Sequence, residues 1–141
     1  MTNLIDLVNM VVSGASFTPG AQTTTANGTG VDLANGTEST NAVLNVGTVT
    51  GTTPTLNVKM QESDDNTTFL DIAGATFTQV TATTARQVIR FLRGKRYCRC
   101  VATIAGTTPS FAMGLDLFAQ KKYGANAADL TAGGISRGPS T

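Results

Sequence analysis

The sequence predicts an all-β protein: an antiparallel β-sandwich or jelly-roll-like barrel with extended N- and C-terminal arms. Short runs of β-branched and aromatic residues alternate with turn signals built from Gly, Pro, Asn and Asp. Within several runs apolar and polar residues alternate, as in Leu56, Val58 and Met60, which is the period of a half-buried strand. A six-residue motif also occurs twice, as Gly-Thr-Thr-Pro-Thr-Leu over 51–56 and Gly-Thr-Thr-Pro-Ser-Phe over 106–111.

Each copy of this repeat has the pattern of a β-hairpin. A β-branched run leads into a turn with Gly and Pro, and an alternating run follows. We therefore expect two related hairpins, over 46–61 and 101–117. They would supply inner strands through two sets of apolar residues: Leu56, Val58 and Met60 in the first copy, and Phe111, Met113 and Leu115 in the second.

The chain length of 141 residues fits a single domain with a real core. Residues 13–41 consist mainly of Thr, Gly, Ala, Asn and Ser, which offer too little apolar surface to offset the ordering of the backbone. We therefore divide the chain into an N-terminal segment and extended arm (1–41), a β-sandwich body (42–123) and a C-terminal tail (124–141). The arm is expected to lie across a neighbouring subunit. The apolar segment 3–12 fits either a helix or a strand.

The body contains strands and turns in a regular order. Its predicted elements are a strand over 42–50, a turn over 51–54, an alternating strand over 55–61, a turn over 64–66, short strands over 69–72 and 76–80, and longer strands over 87–92, 96–104 and 111–117.

Composition limits the environment and the partners. Charged residues make up 13% of the chain and the net charge is +1, so the overall charge requires no anionic partner. Cys98 and Cys100 would share one face of a strand, too far apart for an unstrained disulfide, and are predicted to be buried thiols in a reducing compartment. No secretory leader is apparent and no apolar run approaches the roughly 20 residues that span a bilayer, so a membrane is not an expected partner.

The sequence offers no recognisable catalytic site. It contains no histidine, which excludes Ser-His-Asp and Cys-His catalysis and His-based zinc sites. The triplet Gly28 to Gly30 opens no helical pattern and is predicted to be a flexible loop. Asp64, Asp65, Asn66 and Asp71 could supply some calcium ligands, but the spacing of a calcium loop is missing and a tight turn explains the first three better. We expect no catalytic residue, cofactor or metal, and hence no enzyme.

Local basic charge is the most unusual feature. Six of the ten basic residues fall within one short stretch: Arg86, Arg90, Arg93, Lys95, Arg96 and Arg99. Such a patch could bind phosphates, carboxylates of a protein partner, or only solvent. Apart from Phe91 and Tyr97 no aromatics accompany it for base stacking, so nucleic acid is the least favoured partner. Carboxylates of a neighbouring subunit are preferred, with a solvated face as the alternative.

Two stretches carry a family resemblance. Val58 to Asn66, followed by Phe69 to Ile72, resembles a pattern common in small structural proteins of tailed bacteriophages, and so does the stretch from Arg96 to Gln120. The resemblance covers roughly residues 31–123, and over this range the sequence is similar to capsid cement or decoration proteins. This chain departs from the pattern at Asp65-Asn66, where Asp-Gly is more usual, and at Phe69, where Trp is frequent.

The resemblance implies a β-rich, non-enzymatic virion protein on the capsid exterior, assembled in the host cytoplasm. Its implied partners are the major capsid protein and further copies of itself, as a dimer or trimer. A head–tail connector or a tail structural protein is the alternative. A carbohydrate-binding adhesin is less favoured, since the chain has no Trp and only two Tyr to stack on sugars.

Overall fold

The computed structural model describes residues 11–82 and 85–122. These residues form no helix, and so none that could cross a membrane. They form seven strands of one antiparallel sheet that does not close into a barrel, which confirms the all-β antiparallel class. The strands are β1 (Val11–Gln22), β2 (Ala26–Asn27), β3 (Val31–Asp32), β4 (Gly36–Ser63), β5 (Leu70–Thr76), β6 (Ala85–Leu92) and β7 (Tyr97–Lys121).

Strands β4 and β7 are far longer than the others and pair along their whole length, from Gly36 opposite Lys121 to Ser63 opposite Tyr97. The two copies of the repeat lie side by side at the middle of this ribbon, with Thr52 opposite Thr107. The prediction of two hairpins is therefore wrong, because neither copy reverses the chain.

The glycines of the repeat explain why these segments bend without turning back. Gly51 and Gly106 have φ angles of +110° and +123°, which favour glycine, and the pairing register shifts beside them. A Cβ on Gly51 would lie 2.7 Å from the carbonyl oxygen of Thr108, and one on Gly106 would lie 2.8 Å from that of Thr53. The two copies thus make the same close contact with each other, in a nearly two-fold arrangement.

The bend divides the sheet into two halves. Half A comprises residues 36–50 of β4 and 111–121 of β7, with β6 on one side and β1 on the other. Half B comprises residues 55–63 of β4 and 97–105 of β7, flanked by β5 and by the short strands β2 and β3. Each half therefore receives one segment of each long strand.

The inner faces of both halves contribute to one hydrophobic core. Its least exposed large side chains are Leu33, Leu44, Val46, Leu56, Met60, Phe111, Met113, Leu115 and Leu117. The link between β6 and β7 holds the two ends of β4 close to it. The Arg93 guanidinium bonds the carbonyl oxygens of Gly36 and Thr37 at one end, and the amide of Gly94 donates to Glu62 at the other. The sheet is thus folded over on itself in the manner of a sandwich.

The structure corrects the predicted arm over 13–41. Most of this segment is in β1, β2, β3 and the start of β4, and Phe17, Val31 and Leu33 are buried in the chain's own core. Pairing with β7 supplies backbone hydrogen bonds that the composition alone does not reveal. The boundary at residue 42 falls inside β4. Most of segment 3–12 and the tail 124–141 lie outside the described residues.

Most of the other predicted strands and both predicted buried thiols are present. The strands expected over 42–50, 55–61, 87–92, 96–104 and 111–117 lie in β4, β6 and β7. Instead of short strands over 69–72 and 76–80 there is one strand, β5, followed by a segment that bonds to Leu56 and Val58 of β4. Cys98 and Cys100 are free and fully buried, as predicted, and burial raises the pKa of both thiols to about 12.

Candidate interaction surface

Three cavities of the described residues are open to solvent and small. Their volumes are about 200, 260 and 280 Å³. Their linings contain at most one carboxylate each, Asp116 in the first and Glu38 in the second, so none of the three presents the paired carboxylates of glycoside hydrolysis. Within 11–82 and 85–122 no group of three or more acidic or Cys side chains is arranged to hold a metal ion.

The acidic segment after β4 forms a tight turn, as predicted. One oxygen of Asp65 accepts hydrogen bonds from the amides of Thr67 and Thr68, at 2.9 and 2.8 Å, and from the Ser63 hydroxyl. These bonds favour the charged carboxylate and lower the pKa of Asp65 to about 2. Asn66 takes the left-handed conformation with a φ of +59°.

The structure does not bring the six predicted basic residues together in one patch. Arg93 is 6% exposed, and its guanidinium bonds the carbonyl oxygens of Leu33, Gly36, Thr37 and Lys95. It stabilises the fold and is not accessible to a partner. The other five residues are divided between the end of half B and the two outer faces.

Two of these five pair with carboxylates at the end of half B. Lys95 binds Asp64, and Arg96 forms a two-pronged bond with Asp32, with N–O distances of 2.9 and 2.7 Å. The bonds from Arg96 and from the amide of Ala34 lower the pKa of Asp32 to about 2. The carboxylate partners expected from a neighbouring subunit are here supplied by the chain itself.

The outer face of half B, which we call the paired face, forms a connected polar network. Asp71 of β5 accepts from Lys59 Nζ and from Gln61 Nε2 on β4, both at 2.7 Å. Gln61 in turn accepts from Arg99 Nε on β7 at 2.9 Å, and the Arg99 guanidinium stacks 4.0 Å from the centre of the Phe69 ring. Each of the four polar side chains of this network therefore has at least one hydrogen-bond partner within the chain.

The outer face of half A, which we call the contact face, is different. On β6, Arg86, Val88, Arg90 and Leu92 alternate with half-buried or buried residues and point outward. Val88 is 59% exposed and Leu92 73% exposed, and Phe118 of β7 adds a third exposed large apolar side chain. Three of the four large apolar side chains exposed in the described residues thus lie on this face, the fourth being Leu70 of β5.

Charged groups on the contact face lack partners among the described residues. The side chains of Arg86, Arg90 and Asp116 form no hydrogen bond and no ion pair with other residues of 11–82 and 85–122. The strand register places them in rows across the sheet. Arg90, Asn41 and Phe118 form one row, Val88, Val43 and Asp116 the next, and Arg86, Asn45 and Gly114 the third.

A groove of about 200 Å³ lies at the third row. Its lining is mostly small residues, including Gly47, Ala112 and Gly114, with Asn45 and Asp116 as the polar groups and Pro19 against Gly114. β6 is also an edge strand, which pairs with β4 and with no other described strand.

Sequence reasoning found two of these residues and missed the others. The basic run included Arg86 and Arg90, but Val88, Leu92, Asp116 and Phe118 carried no predicted role. The sequence did contain a signal for this face. The odd-numbered positions of 86–92 include the apolar residues that point to the core, and the even-numbered positions, which point outward, read Arg, Val, Arg, Leu and so include apolar residues as well.

Comparison with known proteins shows a fold likeness and no family. No family model and no curated protein matches the chain. Among solved structures the chain is similar to the PBSX exported protein XepA, with a TM-score of 0.53 and 16% sequence identity over 79% of this chain. The chain spans 37% of the length of that XepA chain. At this identity the likeness shows a shared fold.

Proposed function

We propose that this chain is a non-enzymatic structural protein of a tailed-phage virion that binds and stabilises the capsid shell. The contact face carries the proposal, because it exposes apolar side chains beside charged groups without partners in the described chain. Exposed apolar patches with polar neighbours mark surfaces for protein association.

Three further observations support this proposal. The resemblance of 58–72 and 96–120 to small phage structural proteins indicates the class, and the fold likeness to the exported protein XepA is compatible with it. The three cavities of about 200, 260 and 280 Å³ hold at most one carboxylate each. The proposed partners are the major capsid protein and further copies of the chain, at the capsid exterior.

Labelling in intact particles tests the proposal. Virions of the phage that encodes the chain would be decorated with antibody and gold and imaged by electron microscopy. We expect label over the whole head. Label at a single vertex or along the tail would favour the connector or tail alternative, and purified virions without the protein would overturn the virion role.

A binding experiment complements the imaging. Purified protein would be added to particles from a deletion phage, and its co-sedimentation and the heat resistance of the heads measured. We expect saturable binding and a higher temperature of head disruption. Deleting residues 1–30 is unsuitable as a variant, because it would remove β1 and β2 from the sheet. A matched control is the same titration with heads that already carry the protein.

A further inference from the structure

We infer that the contact face binds the contact face of a second copy, forming a two-fold dimer with half A against half A. This inference rests on the proposed function, in which the contact face serves association, and it assigns that face to a second copy and not to the major capsid protein. A two-fold interface uses one patch twice, so the patch must complement itself. The contact face meets this condition in charge, shape and apolar content.

Charges of both signs lie on opposite sides of the face. Arg86 and Arg90 are on the edge strand β6, whereas Asp116 is on β7, two strands and roughly 10 Å away. A two-fold axis that lies in the interface along β4 would place β6 of one copy over β7 of the other. Val88 of each copy then lies opposite Asp116 of the other copy, because the two residues share a row, and Val43 lies at the axis. Arg86 and Arg90 lie one row to either side of that carboxylate, from where their long side chains can reach it.

The rows of the sheet give this arrangement specific contacts. Arg86 shares its row with Gly114, so the same axis places each Arg86 over the groove of the second copy. That groove is smaller than the roughly 300–1,000 Å³ of ordinary ligand pockets, and its size suits a single side chain. Asp116 lies in its lining and can accept hydrogen bonds from the guanidinium.

The neighbouring row provides a second contact of the same kind. Arg90 shares its row with Phe118, and would lie over the Phe118 ring of the second copy, where a cation–π contact is favourable. The exposed side chains of Val88 and Leu92 are covered in the same assembly.

Two other occupants fit less well. Pairing of the β6 edges of two copies would align Arg86 and Arg90 of both on one face of the ladder, where like charges destabilise the pair. A purely acidic partner would complement the arginines but leave Asp116 beside further negative charge. Face-to-face association of two copies satisfies both signs.

Sedimentation equilibrium of the full chain, without particles, tests the inference. At about 0.1 mM we expect a dimer, and we expect Arg86→Asp or Asp116→Arg to raise the dimer dissociation constant about tenfold or more. The combined exchange Arg86→Asp/Asp116→Arg should recover most of the affinity, because it restores opposite charges across the interface. Recovery is a result that a mere loss of folding could not give.

Two further variants keep the outcome clear. Val88→Lys changes a side chain already exposed on the contact face and should also weaken the dimer, whereas Thr103→Asp on the outside of half B should not. Circular dichroism confirms folding of each. A monomeric wild type, or a dimer unaffected by Arg86→Asp and Val88→Lys, would overturn the inference. Particle binding of the wild type is measured separately, so a failed dimer and a failed capsid role remain distinguishable.

Discussion

Halves A and B share one plan and differ in what they present outward. Each contains one segment of β4 paired with one segment of β7, and each lines the same core with fully buried side chains such as Leu44 in half A and Leu56 in half B. On the outside, half B carries the Lys59, Asp71, Gln61 and Arg99 network, while half A exposes apolar residues and charges without described partners.

This difference indicates which surface is shaped by folding and which by association. The two sets of inner residues fill one core, so each is constrained by the volume of the other. Outer residues point to the opposite side of the strand and are released from that constraint. In half B the outer polar side chains bind one another. In half A the charged outer side chains bind none of the described residues and are available to a partner.

Core truncation should affect both halves equally. Leu44→Ala and Leu56→Ala each delete the same atoms from a fully buried site, and each should lower the free energy of unfolding by about 2–5 kcal/mol. Denaturant melts followed by circular dichroism measure the loss. If one variant melted in two phases while the other did not, the halves would be separate folding units and the shared core would be contradicted.

The central bend should be the next most sensitive feature. Gly51→Ala and Gly106→Ala each place a Cβ on a positive-φ backbone and against a carbonyl oxygen, and each should cost about 1–3 kcal/mol from backbone strain alone. Thermal unfolding measures both. Gly74→Ala serves as a matched control, since its φ is +77° but no atom lies within 4 Å of the added Cβ. A smaller effect at Gly51 than at Gly74 would argue against the close contact.

One arginine from each outer face separates stability from association. Arg99→Ala removes the bond to Gln61 and the stacking on Phe69, and should cost about 0.5–1 kcal/mol. Arg90→Ala should change the stability of the dilute, monomeric protein by less than about 0.5 kcal/mol. If the two variants unfolded at the same denaturant concentration, the expected difference between the two outer faces would be contradicted.

The smallest expected effect is a pH dependence in half B. Asp32 has a folded pKa of about 2, below its ordinary value of 3.8, because Arg96 and the amide of Ala34 bond its charged form. Since the folded pKa is depressed, the stabilisation is present above pH 3.8 and is lost as the pH falls towards 2. Asp32→Asn should therefore be less stable than the wild type at neutral pH, and the gap should close over that window.

A double-mutant cycle provides the control for this pair. Melts at neutral pH would compare Asp32→Asn, Arg96→Gln and the double variant. We expect the double variant to lose less stability than the two single losses added together, because the residues interact directly. Strict additivity would show that the pair contributes nothing.

Much of the fold could be predicted from local pattern, and the errors have a common cause. Alternation in Leu56, Val58 and Met60 identified the inward face, and the Asp64 to Asn66 cluster identified the turn. The repeat was misjudged because Gly and Pro favour a bulge as well as a turn, and only pairing with a distant segment decides between them. The same holds for residues 13–41, whose partner strand lies far away in the sequence.

The sequence by itself determined the strand class, the inward faces of the long strands, the buried thiols and the turn after β4. These features depend on residues within a few positions of one another. Tertiary structure alone decided that the two repeats pair at a bend and that Arg93 is buried. It also decided that Arg96 and Arg99 bind side chains of the described residues, whereas the side chains of Arg86 and Arg90 bind none of them. The reason is physical. Whether a charged side chain has a partner depends on the groups that folding brings next to it, and strand pairing joins residues that are far apart in the sequence.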